Sequence, residues 1–97
     1  MKRDDFVFTI GYEGNSAVVD SKAKRRYRKY GTLDLAKAGQ HKAAFSAALY
    51  NEDEQEMAEL LAYFRENTTL PADDTETLKR LFGVYGVPPH VTRVMMV

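Results

Sequence analysis

Gln40-His41-Lys42-Ala43-Ala44-Phe45-Ser46-Ala47-Ala48-Leu49-Tyr50 is the stretch on which the fold turns. From Ala43 to Tyr50 seven of eight residues are apolar. Set at about 100° per residue, they cover the whole circumference of a helix instead of one stripe. A helix that is apolar all round belongs in the middle of a fold, with other elements against every side. Its alanines add helix propensity and let those neighbours approach closely. The remainder of the chain is therefore expected to supply elements that wrap this segment.

Upstream, Phe6 to Asp20 reads as a β-hairpin. Phe6, Phe8, Ile10 and Tyr12 alternate with Val7, Thr9, Gly11 and Glu13, the period of a half-buried strand. Gly14-Asn15 suits a two-residue turn, because both residue types tolerate positive φ. That turn pairs Glu13 with Ser16, Tyr12 with Ala17 and Ile10 with Val19. Phe8, Ile10, Tyr12, Ala17 and Val19 then share one apolar face. A lone hairpin is marginally stable, so this face must cover helices or gain a third strand. Asp20 or Ser21 caps a helix over Lys22–Tyr30 ended by Gly31, with Ala23, Tyr27 and Tyr30 on one narrow face. Thr32 caps a further turn or two through Ala38 before Gly39 bends the chain.

Downstream, Asn51 with Glu54 forms a capping-box-like start. Met57, Leu60, Leu61 and Phe64 then mark an amphipathic helix to about Asn67. Asp73-Asp74-Thr75-Glu76 opens another helix, with Leu78, Leu81 and Phe82 inward and Gly83 or Gly86 closing it. Val91–Val97 is β-branched and apolar and reads as a third strand beside the hairpin, with a short helix after Pro88-Pro89 as the alternative. The expected fold is α+β: an N-terminal β-hairpin, three-stranded if the C-terminal segment joins it, packed on three to five helices around the Ala-rich central helix. Residues 1–97 are long enough for one such domain.

Composition narrows the chemistry. The 44% hydrophobic and 29% charged content is that of a soluble globular protein. No run of about 18 apolar residues suggests a membrane span. Met1–Asp5 leads straight into a strand-like run without a signal peptide's apolar stretch, so the cytoplasm is the expected location. The absence of cysteine removes disulfides, thiolate metal sites and cysteine nucleophiles together. The two histidines, His41 and His90, stand far apart and in no His-x-x-x-His pattern. The acidic run Glu52–Glu59 lacks the glycine-containing loop of a calcium site. Ser46 lies in Phe-Ser-Ala, outside any Gly-x-Ser-x-Gly context, and reads as a helical hydroxyl bonded to the carbonyl one turn earlier. No catalytic residue, metal ligand or cofactor is expected.

Charge is the remaining signal. Residues 1–50 hold ten Lys and Arg against five Asp and Glu, whereas residues 51–97 hold four against nine. Lys22, Lys24, Arg25, Arg26, Arg28 and Lys29 concentrate the excess, with Tyr27 and Tyr30 interleaved. Such a helix can hold the phosphates of a nucleic acid or another polyanion. It can equally be neutralised by Glu52–Glu59, or meet an acidic protein partner. Glu76–Val87 followed by Val91–Val94 also resembles a bacterial helix-turn-helix unit. The likeness implies His90, Thr92 and Arg93 facing a DNA groove. The turn is one residue short of that motif, and Phe82 stands where it has a small residue. The expected function is a non-enzymatic protein-interaction module, acting by self-association or on an acidic protein partner. The alternative is a nucleic-acid binder using the basic helix 22–29 or a degenerate helix-turn-helix at 75–96.

Overall fold

In the computed structural model, which describes all 97 residues, the chain runs through α1 (Arg3–Val7), β1 (Thr9–Glu13), β2 (Ser16–Val19), α2 (Ser21–Tyr27), α3 (Thr32–Lys37), α4 (His41–Asn51), α5 (Glu54–Asn67), α6 (Thr75–Phe82) and β3 (Arg93–Met96). The architecture is α+β, with a three-stranded sheet in the order β1-β2-β3. β1 and β2 are antiparallel, and β3 lies parallel to β2. The connection from β2 to β3 carries five helices, which supplies the crossover that a parallel pair requires.

α4 takes the central place that its composition demands. Its residues Ala43 to Ala48 are all buried, and α1, α3 and α5 pack on it. Phe45 is the largest side chain that it inserts into the core, with its ring centroid 5.6 Å from that of Phe82. Phe82 also meets Phe64 of α5, and the His41 ring stands edge-on to Phe64 at 5.4 Å. α4 ends with Glu52 in the left-handed region, φ 53°. The chain then turns directly into α5.

The hairpin forms around the expected turn, with Glu13 opposite Ser16 and Tyr12 opposite Ala17. Two features differ. Phe6 and Val7 belong to α1, so the apolar run Phe6-Val7-Phe8 is buried as a helical turn instead of alternating along a strand. The ladder also shifts between Thr9 and Gly11, so that Val19 pairs with Thr9 and not with Ile10. This bulge leaves Ile10 exposed, because one extra residue in a strand turns its side chain off the pleat.

Helix boundaries follow local capping. The Asp20 side chain accepts from the Lys22 and Ala23 N–H groups, and α2 stops at Tyr27, three residues before the expected Tyr30. Gly31 is the N-cap of α3, while the Thr32 hydroxyl reaches across to Glu56. Asp53, and not Asn51, caps α5, accepting from Gln55 and Glu56. Asn51 remains the last residue of α4. Asp74 caps α6 through the Thr77 N–H, and that bond holds its carboxyl below the usual range. Acidification through this lowered range therefore removes a stabilising contact that is fully present above the ordinary carboxylate range. Leu78 is buried and Phe82 packs on the core, but Leu81, expected inward, is exposed. No helix is long and apolar enough to cross a membrane.

The crowding around α4 predicts asymmetric responses to volume changes. Phe45→Ala is expected to lower unfolding free energy by about 3–5 kcal/mol, since its pocket is closed on all sides. Ala44→Leu is expected to lower it by about 1–3 kcal/mol through overpacking. Urea titration followed by circular dichroism measures both.

Candidate functional site

The sheet extends beyond the helices that cover it. Ala17 and Val19 of β2 are 0% exposed. Their register partners on β3 are Val94 and Met96. Paired residues in register share a sheet face, yet Val94 is 39% and Met96 50% exposed. The helical layer therefore ends under β2. Met95 on the opposite face is exposed as well, so β3 is an apolar strand only partly covered on either side.

β3 is nevertheless held firmly along its inner edge. The Asn15 carbonyl accepts from the Thr92 and Arg93 N–H groups, and the Asn15 amide donates to the Thr92 hydroxyl. At the other end the Ser21 N–H and hydroxyl both donate to the Val97 carbonyl. The outer edge carries no strand. An edge of this kind is a ready template for another extended chain.

The same Ser21 contact brings the basic helix to the end of β3. Of its six cations, Lys24 alone is paired, donating to the Asp5 carboxylate at 2.6 Å. Asp5 is buried against α2, so Lys24 serves the fold. Lys22, Arg25, Arg26, Arg28 and Lys29 form no ion pair; the other two ion pairs of the chain are Arg3–Asp4 and Lys79–Glu76. Glu52–Glu59 does not neutralise this surface. Tyr27 is half-buried and Tyr30 exposed, with their rings edge to face at 5.1 Å and the Arg26 guanidinium 5.2 Å from the Tyr27 centroid.

The helix-turn-helix arrangement is absent. Residues 93–96 form the β2–β3 ladder where a recognition helix would stand, after two prolines that cannot donate backbone hydrogen bonds. His90 is exposed in the preceding loop, Thr92 is tied to Asn15, and Arg93 opens β3 with its side chain exposed. The three do not share a helix face.

A cleft of about 550 Å³ opens between β1, α4 and the loop of residues 83–90. Phe6, Tyr12, Tyr85 and Pro88 contribute its apolar walls, with Lys42, Ser46 and His90 among its polar lining. Partial burial pushes the Tyr12 phenol up from its ordinary range. Ser46 is 2% exposed. Its hydroxyl makes no hydrogen bond within the chain, unlike Thr9 and Thr68, which bond back to Asp5 and Phe64. The back-bond expected for Ser46 does not form, and since no buried side-chain polar atom of the protein lacks a partner, its hydroxyl is open to the cleft. No carboxylate lines the cleft to orient His90 as a base toward Ser46, so the set can bind but lacks the third member of a nucleophilic relay. No group of three or more His, Asp or Glu side chains converges as a metal site. No known protein family, curated protein or solved structure matches the chain.

Two substitutions separate fold from surface here. Lys24→Ala strands the Asp5 carboxylate in a mostly buried place and is expected to lower stability by about 1–3 kcal/mol. Arg25→Ala is expected to stay within about 0.5 kcal/mol of wild type. Paired thermal melts at neutral pH give the comparison.

Proposed function

We propose that the protein is a non-enzymatic interaction module that adds an extended, acid-flanked segment of a protein partner to the free edge of β3. The observation that carries this reading is the contrast across one sheet face: Ala17 and Val19 fully covered, Val94 and Met96 only partly so. Strand addition closes both deficits of that edge, since the incoming backbone pairs its free hydrogen-bonding groups and alternate side chains cover its apolar ones. Charge selects the occupant. Arg93 stands unpaired at one end of β3 and Lys22, next to Ser21, at the other. A segment with apolar residues at its centre and Asp or Glu at its ends matches both. The chain's own acidic run is helical from Glu54 onward, which favours a different protein over a second copy. The proposed location is the cytoplasm, on the charged, cysteine-free composition.

A synthetic peptide with a Thr-Val repeat between acidic ends is expected to shift the Val94 and Met96 amide resonances of isotope-labelled protein and protect them from exchange. Reversal of the flanks to lysine, or Arg93→Glu with Lys22→Glu, is expected to weaken binding roughly tenfold. Equal affinity for both peptides would reject the charge argument. A concentration-dependent dimer in sedimentation, abolished by Met96→Lys, would name a second copy as the occupant.

A second reading rests on the five unpaired cations of residues 22–29: a phosphate-contacting surface for nucleic acid, with Tyr30 exposed beside it. Its affinity would come from counterion release and fall steeply with salt. Fluorescence anisotropy with labelled single-stranded DNA and RNA tests it. The expected result is binding at low salt that disappears in the Arg25→Glu, Arg26→Glu, Lys29→Glu variant. Absence of binding at low salt would leave the protein-partner reading alone.

A further inference from the structure

The cleft between β1, α4 and residues 83–90 carries its own chemistry, separate from β3. We infer that it is a binding site for a small planar organic acid, an aromatic body bearing a carboxylate. Its volume of about 550 Å³ falls in the range of small-molecule sites. Aromatic and proline side chains, Phe6, Tyr12, Tyr85 and Pro88, offer flat apolar surface to the body of such a ligand.

The polar groups define the other end. Ser46 is nine-tenths buried or more, and it lines the cleft. A hydroxyl on the wall of the cleft can donate to a group that enters it. Lys42 precedes Ser46 by one helical turn, which places both on the same side of α4. Lys42 has no carboxylate partner within the protein, and His90 contributes a second nitrogen base from the loop. No Asp or Glu lines the cleft. A carboxylate is the ligand group that accepts from both a lysine ammonium and a serine hydroxyl, and it meets no repelling charge here.

The glycines that help to line the cleft make it readable. Gly11, Gly83 and Gly86 each have open space where a side chain would stand, and their amide resonances report occupancy. The test is titration of isotope-labelled protein with sodium 1-naphthoate, against the uncharged 1-naphthamide. The expected result is one saturating curve shared by the Gly11, Gly83 and Gly86 amides, with roughly tenfold weaker binding of the amide. Lys42→Glu, an exposed change that leaves the core untouched, is expected to weaken naphthoate by at least as much, and Ser46→Ala to weaken it by several fold while preserving the spectrum elsewhere. No saturation of these three amides at millimolar naphthoate would overturn the assignment. So would equal binding of acid and amide, indifference to Lys42→Glu, or shifts confined to Val94–Val97.

Discussion

The burial of α4 is the constraint from which the rest follows. Its six consecutive buried residues, Ala43 to Ala48, present no polar side to water, so the helix is stable only when enclosed. Small side chains let α1, α3 and α5 come close, and Phe45 fills the gap toward Phe82. Close packing of this kind resists change in either direction, since a lost methylene leaves a void and an added one forces strain.

That demand leaves the sheet incompletely covered. α1 packs against β2 and α4, so the helical layer is centred beneath β2 and ends before β3. β1 meets its own boundary differently, through a bulge that turns Ile10 outward and helps to shape the wall of the cleft. The two unfinished regions, an open edge at β3 and a cleft beside β1, lie at opposite margins of the same three-stranded sheet. Each arises where a small domain runs out of layers, and each presents apolar surface with cations rather than carboxylates beside it.

Charge is arranged to keep those regions available. In the N-terminal half, Asp20 caps α2 and Asp5 holds Lys24. In the second half, Asp53 and Asp74 accept backbone N–H groups at helix starts and suit the local dipole. Acid used in this way is not free to neutralise Lys22, Arg25, Arg26, Arg28 and Lys29. The formal balance of zero thus conceals five cations among residues 22–29 that form no ion pair.

Local rules written along the chain determined a large part of this protein. The apolar circumference of α4, the Gly14-Asn15 turn and its first two pairs, the Met57–Phe64 stripe and the extended tail were all legible, because periodicity and turn chemistry depend on near neighbours. The Ile10 bulge was not, since period 2 cannot reveal where a ladder slips. Nor was the helical start at Phe6, because a short apolar run fits a strand and a buried helical turn equally well. The site was legible only as an inventory. The basic residues 22–29 could be named, but whether Glu52–Glu59 would neutralise them depended on the placement of α2 and α5, which sequence distance does not encode. The partnerless Ser46 hydroxyl was invisible for the same reason. Whether it bonds backward along α4 or borders open space depends on the 83–90 loop, some 40 residues away in the chain. Tertiary structure alone decided which charges stayed free, which strand stayed uncovered and which hydroxyl met a cleft, because each is a relation between segments brought together only by folding.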